Sequence, residues 1–126
     1  MSYPTDRKYS QSHEWHRESD GIVTIGITSF AVEQLTDVTF VELKDVGEQL
    51  EAGDTIGEVE SVKTTSDVYS AVAGEIVEVN QAVIDNPALL NDDAHEEGWL
   101  VKVKASDASG MDGLVDAATY EADHAN

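Results

Sequence analysis

The chain has 126 residues, with 26 Asp and Glu against 7 Lys and Arg, a formal net charge of −19, and no cysteine. Its length suits one domain, 1–126, around a single modest core, and its acidity excludes nucleic acid and anionic membranes as partners, because both require basic side chains against phosphate. Without cysteine there are no disulfides, thiol nucleophiles or thiolate metal sites, so any redox chemistry must come from an attached cofactor.

The first eight residues are polar and predict a loose arm, 1–8, with Tyr9 the first anchor; they lack the basic-then-apolar layout of a secretory signal. No apolar run reaches the length of a bilayer span, so the expected setting is the cytoplasm, without a membrane partner. His13-Glu14-Trp15-His16 opens a strand in which Trp15 is a core or core-edge residue. His13 and His16, at i and i+3, read as surface or strand decoration, and none of the four histidines falls into a metal-ligand spacing. Asp20-Gly21 marks a turn, after which Val23, Ile25 and Ile27 alternate with Ile22, Thr24 and Gly26 to complete a hairpin. Thr28 or Ser29 caps a short helix through Leu35. Residues 38–43 return to strand, with a bulge predicted between Phe40 and Val41, where the apolar parity switches. Turn residues at Val46-Gly47 and Ala52-Gly53 follow at the short spacing of an all-β sandwich.

Beyond the centre of the chain, Ala73-Gly74 predicts a turn and residues 75–79 a strand closed by Asn80. Asn86-Pro87 stops regular structure and starts one helical turn through Leu90; Asn91-Asp92-Asp93 opens a loop. Trp99, Val101 and Val103 alternate with Leu100, Lys102 and Lys104 as a last strand, and 106–110 is a polar break. Met111, Leu114, Val115 and Ala118, at i, i+3, i+4 and i+7, predict an amphipathic C-terminal helix over 111–123.

Residues 54–80 organise the rest. Ile56, Val59 and Val62 give apolar positions of imperfect parity on the entering side, while on the leaving side Val68, Ser70 and Val72 share one face and Asp67 and Tyr69 the other, so the stretch predicts two strands folded about Val62-Lys63-Thr64-Thr65. Lys63, one of five lysines, stands at that tip among Glu58, Glu60 and Asp67. Taken alone, such a lysine is a solvated cation offsetting nearby carboxylates.

The wider string resembles the lipoyl-lysine hairpin of the glycine cleavage system H protein family: Glu60-Ser61-Val62-Lys63-Thr64, then Ser66-Asp67-Val68-Tyr69-Ser70, then Gly74-Glu75-Ile76-Val77-Glu78-Val79-Asn80. His13-Glu14-Trp15, Gly26-Ile27-Thr28, Phe40-Val41-Glu42-Leu43, Val46-Gly47 and Gly98-Trp99-Leu100 resemble family landmarks in the same order, so the likeness runs from about Tyr9 to Tyr120. It departs in three places: Ala71 where a proline usually follows the serine, Ala94-His95-Glu96 in the loop before Gly98, and Thr64 for a frequent alanine. The methionine bracket of a biotinyl lysine is missing, since Met1 and Met111 are remote in sequence. Lipoyl domains of 2-oxoacid dehydrogenases share the hairpin but are shorter and embedded in longer chains.

The resemblance implies a mainly β, lipoyl/biotinyl-type flattened barrel-sandwich of antiparallel sheets with a short internal helix and a C-terminal helix. It implies lipoate in amide linkage on Lys63, recognition of the hairpin through Glu60, Ser61 and Asp67, and a cleft in which Ser12, Glu14 and Asp67 face the cationic cargo of the folded-back arm. The function implied is a carrier, not an enzyme, shuttling an aminomethyl group and reducing equivalents. Its implied partners are a decarboxylating glycine dehydrogenase, an aminomethyltransferase, dihydrolipoamide dehydrogenase and a lipoate-attaching enzyme, with the carrier itself a monomer. Two alternatives stand beside it: an H-like protein donating lipoate to other carriers, and an unmodified acidic β-sandwich interaction module. Carboxylates spread along the whole chain imply a salt-adapted, halophilic surface; the competing explanation is an acidic docking face.

Overall fold

A computed structural model describes residues 3–10 and 12–124, without the side chains of 107–109, 123 and 124. Two antiparallel sheets face each other. The larger contains β1 (Lys8–Tyr9), β2 (Glu14–Ser19), β3 (Ile22–Ile27), β5 (Gln49–Leu50), β8 (Ala73–Val79) and β9 (Val101–Asp107), in the order β1-β2-β3-β9-β8-β5. The smaller is β4-β6-β7, from β4 (Val38–Leu43), β6 (Thr55–Ser61) and β7 (Thr65–Tyr69). Side chains alternate across each strand, so one apolar set per sheet turns inward. Val23, Ile25, Ile76, Val101 and Val103 thus join Val41, Ile56, Val59 and Val68 in one buried cluster. Each fully buried aliphatic side chain there stabilises the fold by roughly 1.5–3 kcal/mol.

The first hairpin forms as its residues require. Asp20 and Gly21 both adopt left-handed backbone, at φ 53° and 81°, which suits the twist of β2 and β3. Trp15 alternates with the inward Glu14 and His16 and therefore lies on the opposite face, against Gly26. A Cβ at Gly26 would stand 2.6 Å from the indole ring, so glycine is the residue that admits Trp15. Tyr3, Tyr9, Ala117 and Tyr120 complete a second buried cluster around Trp15.

Helix α1 (Ser29–Leu35) begins at Thr28, whose side chain accepts from the Ala31 N–H, and buries Val32 and Leu35. The bulge in β4 lies earlier than the parity switch at Phe40 and Val41 suggests. Thr39 is the extra residue, between Val38 opposite Ser61 and Phe40 opposite Glu60, and this lets Val38 and Val41 both turn inward while Phe40 stays exposed.

Three further expectations are corrected. Within the expected arm, Tyr3 and Arg7 are buried; Arg7 donates to Asp6, to Glu96 and to the His95 carbonyl and lies over the Trp15 ring at 4.6 Å. A packed cation with carboxylate partners anchors this segment where polarity alone suggests an unattached end. After β8, Asn80 does more than close the strand: its side chain accepts from the Ala82 N–H and starts α2 (Gln81–Asp85), and its Nδ2 donates to the carbonyls of Glu97 and Trp99. The next helix, α3 (Ala88–Asp93), runs on through Asn91-Asp92-Asp93, where a loop is expected, and buries Leu90.

The predicted helix over 111–123 divides. β9 extends to Asp107, a 3-10 helix covers Ala108–Gly113, and Val115 exchanges backbone hydrogen bonds with Tyr9. Asp116 then accepts from the Thr119 N–H at 2.8 Å, and α4 (Ala117–His124) follows. α4 buries Ala117 and Tyr120, while Ala118 from the predicted stripe is exposed. Pairing with Tyr9 and a carboxylate cap at Asp116 outweigh the apolar spacing as the choice of helix start.

Candidate functional site

The turn between β6 and β7 places Lys63, and one hydroxyl shapes it. Ser61 Oγ accepts from the backbone N–H of Lys63 and of Thr64, each at 3.1 Å, and lies 3.2 Å from the Thr64 carbonyl, to which it donates. The Ser61 N–H also donates to that carbonyl at 2.8 Å. A serine hydroxyl thereby closes a turn without Asn-Gly or Asp-Gly chemistry. The tip is tied to the body at Val62, whose N–H donates to the Asp37 carbonyl, and Lys63 Nζ reaches the Gln34 carbonyl on α1 at 3.4 Å. Lys63 is exposed, and Val62 beside it is 67% exposed.

Beside the tip runs a cleft of about 220 Å³ whose lining includes Ser12, His13 and Glu14 on one wall, Ala31, Gln34 and Leu35 of α1 on another, and Thr64 of the turn with Thr65, Ser66 and Asp67 of β7. Ser12, Glu14 and Asp67 all line this cleft, which lies beside the turn that carries Lys63. Glu60 and Ser61 lie outside the lining, Glu60 exposed with Thr65 Oγ1 3.4 Å away and Ser61 inside the turn. His13, Gln34 and Leu35 were not anticipated. Leu35 has a helical apolar spacing, but nothing in the sequence places α1 against the hairpin.

Glu14 is 1% exposed, and its carboxylate accepts from Ser10 Oγ (2.6 Å) and Ser12 Oγ (2.5 Å) on one oxygen and from the Tyr69 N–H (3.1 Å) on the other. Burial raises its pKa, opposed by these hydrogen bonds. Among the described residues it pairs with no lysine or arginine. It is a buried, hydrogen-bonded acceptor at the cleft wall, able to take a cation.

Two positions further along β2, His16 is no surface decoration: it is fully buried, and its Nε2 accepts from the Ala71 N–H at 3.0 Å. Glu14 and His16 thus hold alternate N–H groups, of Tyr69 at the end of β7 and of Ala71 just beyond it. A proline at 71 would have no N–H to give, so Ala71 suits the histidine.

A flattened sandwich that lifts one lysine on a braced tip, with its own cleft alongside, defines a carrier fold, built to present a side-chain amine rather than to surround a substrate. The family model for the glycine cleavage H-protein matches residues 7–126. The glycine cleavage system H protein of Bacteroides thetaiotaomicron is 49% identical over 122 residues, 97% of each chain, and that of Citrobacter koseri 52% over 120 residues, 94% of this chain and 93% of the other. A crystal structure of the H protein from Mycobacterium marinum superposes with a TM-score of 0.91 at 42% identity, covering 98% of this chain and all of that one. The chain belongs to the glycine cleavage H-protein family.

Proposed function

We propose that Lys63 carries lipoate in amide linkage and that the chain serves as the mobile carrier of the glycine cleavage system. It accepts an aminomethyl group at a decarboxylating glycine dehydrogenase, presents it to an aminomethyltransferase and is reoxidised by dihydrolipoamide dehydrogenase. Lipoate supplies a dithiolane on a long arm, which carries electrons and a one-carbon amine. The supporting observation is an exposed lysine on a tip braced at Ser61, Val62 and Gln34, beside a cleft that mixes Ile27, Leu35, Val59 and Val68 with the buried carboxylate of Glu14. Those apolar residues suit an aliphatic arm, and Ser12, Glu14 and Asp67 suit an ammonium at its end. A tethered group on a rigid tip meets each docked partner at high effective concentration, so the carrier needs no catalytic constellation of its own. This carrier works as a monomer in the cytoplasm; separately, no helix of the described residues is long and apolar enough to cross a membrane. Intact-mass analysis of natively produced protein tests the assignment: one lipoyl adduct mapping to Lys63 supports it, and its absence returns the chain to a plain acidic interaction module.

The lipoate-attaching enzyme reads the hairpin through the carboxylates of Glu60 and Asp67, with Ser61 fixing the turn they flank. The double variant Glu60→Gln, Asp67→Asn should lower the rate constant for lipoylation about tenfold with Tm nearly unchanged, since exposed charges steer association more than they stabilise folds. Unchanged lipoylation kinetics would leave these carboxylates a solubilising role only.

The acidic surface is a salt adaptation. Glu42, Glu58 and Asp67 lie in register across β4, β6 and β7, and like charges directly opposite one another are destabilising. At ~0.1 M salt the screening length is about 10 Å, so such carboxylates repel; at molar salt it is roughly 3 Å. Thermal unfolding in a KCl series should show Tm rising by about 5 °C from low to molar salt, which is roughly 1 kcal/mol for a domain of this size. A flat melting temperature returns the charge to partner docking.

A further inference from the structure

The cleft walls converge on a hydroxyl that lines neither of them. Tyr120 of α4 is fully buried, and its Oη lies 2.7 Å from His13 Nδ1 and 2.8 Å from Thr28 Oγ1. His13 stands between Ser12 and Glu14 on one wall; Thr28 caps α1, the helix that carries Ala31, Gln34 and Leu35 on the other. Both residues need holding. His13 has φ 75°, a left-handed backbone that costs a non-glycine residue energy unless its surroundings fix it. Its N–H donates to the Ser10 carbonyl, and its carbonyl accepts from the Thr28 N–H at 2.9 Å. Thr28 Oγ1, already the acceptor for the Ala31 N–H, is buried, so its remaining hydrogen-bonding capacity must be met within the protein. The Tyr120 hydroxyl meets both demands at once, whether it donates to the imidazole and accepts from the threonine or the reverse.

We infer that the Tyr120 hydroxyl is the positioning group that holds the two walls of the Lys63 cleft in register, locking α1 and the Ser12–Glu14 turn through its simultaneous contacts with Thr28 and His13. The inference rests on the cleft being where the loaded arm is sheltered, and it assigns the C-terminal helix a part in that shelter. Tyr9 makes a natural comparator. It lies in the same aromatic cluster, stacked on Tyr120 with centroids 5.1 Å apart, and is equally buried, but its hydroxyl donates to the Pro4 carbonyl at 2.6 Å, away from the cleft.

Tyr120→Phe and Tyr9→Phe each remove one oxygen and keep the ring, so comparable losses in Tm are expected from the two. Two readouts separate them. In the unmodified chain, amide exchange at Thr28 and Ala31 should be roughly tenfold faster in Tyr120→Phe than in Tyr9→Phe, because a local brace and not global stability is lost. In lipoylated protein loaded with the aminomethyl group, hydrolysis consumes one water per sulfur–carbon bond broken, leaves the sulfur as a thiol and liberates formaldehyde and ammonium. That release should be roughly fivefold faster in Tyr120→Phe than in wild type and unchanged in Tyr9→Phe. Exchange and release that coincide in the two tyrosine variants overturn the inference. If Glu14→Ala accelerates release but Tyr120→Phe does not, the Tyr120 inference alone falls. If Glu14→Ala releases at the wild-type rate, the sheltering cleft falls and takes the inference with it.

Discussion

Lys63→Arg is expected to abolish lipoylation and carrier turnover completely while leaving the fold intact. A guanidinium stays protonated and is not acylated under conditions in which a lysine amine is, so no attachment chemistry survives the change. The turn does survive, because Ser61 Oγ holds it through the backbone N–H of residues 63 and 64 and the Asp37 carbonyl holds Val62. Lys63 is exposed, and substitutions at such positions usually change stability by no more than about 0.5 kcal/mol. The measurement is intact mass and peptide mapping of parent and variant, with glycine-dependent turnover in a reconstituted system. An adduct that persists in the variant would sink the assignment, as would one on Lys102 or Lys104 in the parent. Lys102 is a poor candidate on its own geometry: it lies within a strand, 3.8 Å from a Glu78 carboxylate oxygen and over the Trp99 ring at 5.0 Å.

The second large effect is acid destabilisation through His16. Its Nε2 accepts from Ala71, so the neutral ring carries its proton on Nδ1, which meets no acceptor among the described residues. Protonating Nε2 would set a donor against the Ala71 N–H inside the core. Burial accordingly pushes the His16 pKa down to about 4, against 6.5 in an ordinary setting. A folded-state value below the unfolded one means that the unfolded chain binds the extra proton first. The stabilisation from keeping this ring neutral is therefore complete above about pH 6.5 and is lost as the pH falls toward 4, a total of about 3 kcal/mol. Glu14 works in the opposite sense, since its raised pKa means that folding takes up a proton, and this partly offsets the loss at the acid end. His16→Gln separates the two: the glutamine carbonyl can still accept from Ala71, and Glu14 is common to both proteins. Between pH 6.5 and 4 the unfolding free energy of the parent should fall relative to that of the variant by that amount. A difference between the two that stays constant with pH would show that His16 does not carry the effect.

Much of this architecture was legible from residues alone, for local reasons. Asp20-Gly21 between alternating strands, Thr28 ahead of α1, and the outward Asp67 and Tyr69 against inward Val68 and Ser70 all follow from turn chemistry, capping and period-2 burial, which act within a few residues. Asn80 as a helix cap is equally local, but a strand residue and a cap residue look alike in sequence until the next element is recognised. The C-terminal helix starts later than its apolar stripe predicts, because Val115 pairs its backbone with Tyr9, a partner more than a hundred positions earlier.

By itself, the sequence determined a lysine between two strand patterns and, in the string Glu60 to Asn80, the resemblance to the H-protein family that implies a carrier; composition and periodicity alone leave that lysine a solvated cation. What only the tertiary structure decided is the neighbourhood of that lysine. Glu14 becomes a buried acceptor because Ser10, Ser12 and Tyr69 close on it; His16 becomes a neutral core residue because Ala71 offers it an N–H; and Tyr120 joins His13 to Thr28 across 107 and 92 positions of chain. The physical reason is common to all three. Desolvation and hydrogen-bond pairing are set by what folds over a side chain, and strand periodicity, which can say that Trp15 and His16 point to opposite faces, cannot say that both faces are covered.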